Sequence, residues 1–233
     1  MTQDDQPTAG DAVSADSVSA EAVLAISSVA GASISTLGGL LGSETLSASD
    51  EIIARVDEIQ FDLGEGPCWD AMSTGRPVLE PDLRHRTGAS WPAFMRELTH
   101  GEVAALFAIP LSVGPLRLGA IDMYDVRPRS LDEGELRRAV ALAAEVSRTV
   151  LRQAIEQSGL EEVPAPSRPL SRRRIHQATG FVIAQLDVSA ADAELLIQAR
   201  AFAEGRSMLE VADEILTRRR RFTVRGGEIE DER

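Results

Sequence analysis

SRRRIHQATGFVIAQLDVSAADAELLIQARAFAEGRSMLEVADEILTRRRRF, residues 171–222, holds three short helical patterns in succession. Ser171 is a cap for the first, in which Ile175, Ala178, Val182 and Leu186 form one stripe with Thr179 at its edge. Gly180 falls inside that helix, where glycine costs about 1 kcal/mol against alanine, and a close helix crossing would account for it. The second pattern starts at Ser189, turns Ala193, Leu196, Ile197 and Ala201 inward, and ends at Gly205 near a C-cap position. Ser207-Met208-Leu209-Glu210 is a capping box for the third, where Met208, Val211, Ala212, Ile215 and Leu216 recur at helical spacing. Three such stripes around one seam predict a small all-α three-helix bundle.

The same stretch departs in charge from the rest. Residues 171–225 carry 10 arginines against 7 acids, residues 1–170 carry 13 against 26, and the whole chain is at −13 with no lysine. A basic part in an acidic chain suggests an anionic partner; a solvated helical face is the plainer reading. The acidic remainder repels nucleic acid.

Upstream of the bundle, 157–170 contains three prolines and no apolar period, so it reads as a linker. Residues 131–156 form the clearest helix, with Leu136, Val140, Ala143, Ser147, Val150 and Ala154 on one face. Before it, 103–111 and 116–124 read as a hairpin joined by Val113-Gly114-Pro115, and 31–37 with 40–48 as another. Helices are predicted over 16–29, 50–61 and 91–100, and a short one opens at Pro67 behind Gly64-Glu65-Gly66. Helices alternating with antiparallel hairpins predict an α+β sandwich with a central antiparallel sheet over 16–156. Residues 1–15 lack a basic start and an apolar core, and no run approaches the roughly 20 apolar residues of a membrane span, so a disordered lead on a cytoplasmic protein is expected. Residues 223–233 read as an acidic tail.

Catalytic and metal chemistry find little footing. Cys68 is the one cysteine and has no thiol partner, and a buried small side chain is its simplest reading. His85 and His100 sit in no metal-ligating spacing, and the turn at Gly64–Pro67 lacks the Lys-Ser/Thr of a phosphate-cradling loop. No enzyme and no metal are expected, and the sequence leaves the cofactor unknown.

The string QFDLGEGPCWDAMSTGRPVLEPDL at 60–83, Trp91-Pro92 at a helix start, and Ile109-Pro110-Leu111 answered by Leu118-Gly119-Ala120 resemble a GAF domain of actinobacterial regulators, over roughly 20–156. The resemblance implies a domain that binds a small molecule or dimerises, with Arg84, Trp91, Phe107, Asp122 and Tyr124 as the lining of a ligand site. Homodimer contacts would use 16–29 and 131–156. In the C-terminal part Arg172, Ile175, Gln177, Ala178 and Gly180, then Ala193 and Ala201, then Val211-Ala212, resemble the ANTAR domain of RNA-binding transcription antiterminators. That resemblance implies binding to paired hairpins in a nascent leader, through Arg172, Arg173, His176, Gln177, Thr179, Gly180, Gln198 and Arg206. Thr179 and Gln198 stand where the family usually has Lys and Arg, so two cationic positions are missing and binding weakens. Both replacements can still hydrogen-bond to bases or 2′-hydroxyls. The run Arg218–Arg221 either compensates or complements a helix C-terminus as a solvated tail. Two other functions fit the sequence: a protein-interaction module whose RNA binding is weakened or lost, and a DNA-binding helix-turn-helix, for which the third helix offers mainly Glu210 and Asp213 to a groove.

Overall fold

The computed structural model describes residues 18–38, 41–86, 88–98, 101–158, 173–225 and 228–232. The lead over 1–15, Arg172, His100 and most of the 157–170 linker lie outside the described residues.

Five antiparallel strands form the first sheet: β1 (Gly31–Thr36), β2 (Glu44–Ala48), β3 (Val78–Glu80), β4 (Ala105–Val113) and β5 (Leu116–Asp125), in the order β2-β1-β5-β4-β3. The central register sets Ile34 opposite Ile121, and Ile121 opposite Ile109. Gly119 is required by this pairing, because a Cβ there would stand 1.9 Å from the Ser35 carbonyl oxygen.

Alternation along β1, β4 and β5 divides the core by faces. Ile34, Phe107, Ile109, Ile121 and Met123 pack with α1 (Ala20–Ile26) and the 26-residue α5 (Glu133–Ser158), whose Ala139, Ala143, Val146 and Val150 are buried. The opposite face is covered by α2 (Glu51–Leu63), α3 (Pro67–Thr74) and α4 (Pro92–Glu97). Asp50 caps α2 by accepting from the Ile52 and Ile53 N–H groups, and Gly64 ends it in the left-handed region at φ 65. Helix α5 continues to Ser158, two residues into the span read as linker.

The predicted bundle is present as α6 (Arg173–Leu186), α7 (Ala190–Glu204) and α8 (Met208–Leu216). Ser189 caps α7, Gly205 ends it, and Ser207 with Glu210 makes both bonds of the capping box. The stripe residues Ile175, Ala178, Val182, Ala193, Ile197, Ala201, Met208, Val211, Ala212 and Ile215 form one buried cluster. Two features depart from the sequence reading. A Cβ built on Gly180 meets nothing within 4 Å, so no helix crosses there. The residues read as a tail instead form a hairpin, β6 (Arg221–Arg225) with β7 (Glu228–Glu232), whose Phe222 enters the bundle core.

Candidate functional site

Asp57, Gln60 and Asp122 are wholly buried between α2 and the sheet, beside Ser33 and Ser35 of β1. Ile53, Val56, Asp57 and Gln60 share one helical face, so the stripe that carries α2 into the core also carries two polar groups. Asp57 accepts from Ser33 Oγ at 2.9 Å and Thr45 Oγ1 at 2.8 Å. Gln60 Nε2 donates to Asp122 Oδ2 at 2.5 Å, and Gln60 Oε1 accepts the Cys68 N–H at 2.9 Å. Asp122 Oδ1 is buried and has no hydrogen-bond partner among the described residues. Burial pushes the Asp122 carboxyl up to about 7 against the Gln60 bond, and burial plus the Asp122 charge push Asp57 well above the usual carboxylate range. The same burial and the same two carboxylates raise the Cys68 thiol, which removes it as a nucleophile.

The five residues read as a ligand lining do not converge. Phe107 pairs with Met123 across β4 and β5 and faces α5, whereas Asp122 and Tyr124 face α2, because neighbouring strand positions alternate. Trp91 and Tyr124 share a buried cluster with Phe94 and Ile53, and the Tyr124 hydroxyl donates to Asp50 at 3.3 Å. Burial and the Asp50 charge hold that phenol at about 12. Arg84 instead borders an open recess of about 450 Å³ with Leu83, Arg86, Gly88 and Met95. Sequence reading missed Arg86, which lies 4.2 Å over the Trp91 ring and pairs with Glu80 at 2.9 Å.

In the bundle, His176, Gln177 and Gly180 are exposed on α6. Thr179, one turn after Ile175, is buried and donates its hydroxyl back to the Ile175 carbonyl at 2.9 Å, so it is not a surface contact. Gln198 points at the N-terminal domain and donates to the Asp62 carbonyl at 2.7 Å. Arg206 bonds Glu214 at 2.7 Å and approaches Glu204 and Glu210. The backbone of Arg173 starts α6.

Much of the arginine excess is spent inside the module. Arg220 is fully buried, bonding Glu214 at 2.9 Å, Glu204 at 2.8 Å and Asp231 at 3.1 Å. Arg200 joins the same network through Asp231 at 2.5 Å, and Arg174 ties α6 to Asp213 of α8 at 2.8 Å. Arg220 is therefore neither a tail residue nor a phosphate contact. Arg218, Arg219 and Arg221 around it are exposed. The alternation Arg221-Phe222-Thr223-Val224-Arg225, followed in sequence by Gly226-Gly227, was the available signal for this hairpin.

The GAF domain family matches residues 13–150 and the ANTAR domain family residues 167–216. Among solved structures, the chain is similar to the GAF domain of an Acinetobacter phosphoenolpyruvate-protein phosphotransferase (13% identity, covering 61% of this chain and 81% of that chain, TM-score 0.47). It is also similar to the GAF domain of the Coxiella burnetii phosphoenolpyruvate-protein phosphotransferase (15%, 57% and 77%, TM-score 0.44). A third is the type II free methionine-R-sulfoxide reductase of Thermoplasma acidophilum (16%, 53% and 80%, TM-score 0.41). None of the curated proteins compared matches the chain.

Proposed function

Because the chain belongs to the GAF domain family and carries an ANTAR domain behind it, we propose that it is an RNA-binding transcription antitermination regulator. The ANTAR domain binds paired hairpins in nascent leader RNA, and the GAF domain senses a small molecule or holds a homodimer. The observation that supports the RNA reading is Gly180: a glycine in the middle of α6, exposed beside His176 and Gln177, with no neighbour among the described residues that needs it. A helix keeps such a residue at a loss in stability, and close approach of a partner is a reason to keep it. Exposed Arg218, Arg219 and Arg221 offer phosphate contacts that Arg220 cannot.

Dimerisation would use α1 and α5, where Val140 and Ile155 are exposed apolar residues. The domains matched are regulatory, and the reading includes no catalysis, with Cys68 buried. Among the described residues no helix is long and apolar enough to cross a membrane, in keeping with a cytoplasmic regulator. DNA binding by α8 is disfavoured, since Glu210 is exposed there and Asp213 and Glu214 are already paired with arginines.

The test is an anisotropy titration of the full chain with paired hexaloop hairpin RNA at two salt concentrations, with duplex DNA as competitor. Saturable binding that weakens with salt and resists the duplex is expected. Binding displaced equally by duplex DNA would point to the helix-turn-helix reading instead.

A further inference from the structure

The two domains meet at the end of α2, where Asp62 makes two polar contacts. Its main-chain carbonyl accepts from Gln198 Nε2 at 2.7 Å, and its carboxylate accepts from the Met208 N–H at 3.0 Å. Met208 is the first residue of α8, where N–H groups have no partner within the helix. The capping box serves the Ser207 and Glu210 N–H groups, and the Met208 N–H is met by the Asp62 carboxylate. The GAF domain therefore supplies a helix cap across the domain boundary, with a negative charge at the positive end of the α8 dipole.

Two further side chains assigned to RNA, His176 and Arg206, lie near the domain boundary. The His176 ring stands 3.3 Å from where a Cβ on Gly42 would be, at the turn between β1 and β2. Arg206 lines a cleft of about 260 Å³ with Arg55 and Leu63 of α2, Arg96 of α4 and Phe202 of α7. Phe202 remains 63% exposed, so the contact is small, polar and unsealed, the kind that opens and closes.

We propose that Asp62 clamps the ANTAR domain in a closed position in which the GAF domain covers Gln198 and narrows access to Arg206, so that hairpin RNA and the GAF domain compete for these two side chains while His176 stays exposed. The proposal rests on the RNA reading above. The 14 residues between Ser158 and Arg173 can span up to about 50 Å, enough for the bundle to leave without chain cleavage. For mutually exclusive states, RNA affinity is reduced by the fraction of molecules that are open. Loss of one charge-assisted hydrogen bond lowers the docking constant on the order of 10- to 100-fold, and RNA affinity rises by up to that factor. A signal at the GAF domain that moves the end of α2 would act on the same equilibrium.

The experiment uses the full chain with Asp62→Ala and the isosteric Asp62→Asn, the second guarding against misfolding of the first. Two quantities are read in each: exchange of the Met208 amide by NMR, and affinity for paired hairpin RNA. Faster Met208 exchange together with RNA binding about tenfold tighter is expected in Asp62→Ala, with smaller changes of the same sign in Asp62→Asn, whose amide oxygen still accepts from Met208 but carries no charge. Unchanged exchange in both variants overturns Asp62 as the clamp. Faster exchange with wild-type RNA affinity overturns masking. Faster exchange when neither wild type nor variant binds any hairpin overturns the RNA reading, and masking falls with it, while the opening of the clamp is still seen.

Discussion

Arg220→Met should unfold the C-terminal module far more readily than any neighbouring arginine substitution. The Arg220 side chain is fully buried and makes hydrogen bonds to Glu204, Glu214 and Asp231, which retain only 18%, 17% and 8% of their side-chain exposure. Methionine fills similar space but removes the buried guanidinium from Glu204, Glu214 and Asp231, while Arg200 still pairs with Asp231 and Arg206 with Glu204 and Glu214. Breaking a buried ion pair from one side typically costs about 3–5 kcal/mol, because the stranded charge remains desolvated. Residual hydration of Glu204 and Glu214 and their second arginine place the expected loss at the lower end, about 3 kcal/mol. Arg219→Met is the control: that side chain is exposed and, among the described residues, bonds Thr217 two positions back, so a change within about 0.5 kcal/mol is expected. Urea unfolding separates the domains, since the only tryptophans, Trp69 and Trp91, lie in the GAF domain and report it alone. Far-ultraviolet circular dichroism follows both. The variant should lose helical signal at lower urea while the tryptophan transition stays in place. An Arg220→Met curve that overlays Arg219→Met would refute the reasoning.

Two other substitutions follow from the structure. Gly180→Ala should stabilise the bundle by about 0.5–1 kcal/mol, since α6 has open space at that position, and should weaken hairpin RNA binding if a partner approaches there; thermal unfolding and the RNA titration check the two signs. Asp122 binds a proton in the folded state up to about pH 7 but in the unfolded chain only up to about pH 4, so stability falls as pH rises between them, by at most about 1.4 kcal/mol per pH unit for one proton. Asp122→Asn should flatten that fall, and its stability curve should converge with the wild type below about pH 4. Carboxylates held low in both proteins, such as Glu210 and Glu214, cancel in the difference.

The bundle was legible because its caps and stripes are local: Ser207 and Glu210 meet across one helical turn, and Gly205 ends α7 where the sequence puts it. The sandwich was legible for the same reason at the level of elements. Properties that depend on which face a residue takes were read less well. Phe107 and Asp122 lie on neighbouring strands at opposite parity, a distinction that only the register of β4 with β5 resolves. Asp57 and Gln60 look like solvent-facing members of an acidic helix until their spacing from Ile53 is counted. Arg220 reads as one of four equal arginines, and only the return of β7 brings Asp231 to it across 11 residues. The meeting of Asp62 with Gln198 and Met208 had no sequence signal, being a contact between domains joined by a linker.

The central claim is that this chain acts on transcription through hairpin RNA. Single-round transcription in vitro, on a template with paired hairpins ahead of a terminator, tests it most directly. The full chain should raise read-through in a dose-dependent way, Asp62→Ala should do so at lower concentration, and a template with one hairpin removed should not respond. Read-through that stays at its protein-free level at concentrations saturating the RNA would contradict the account.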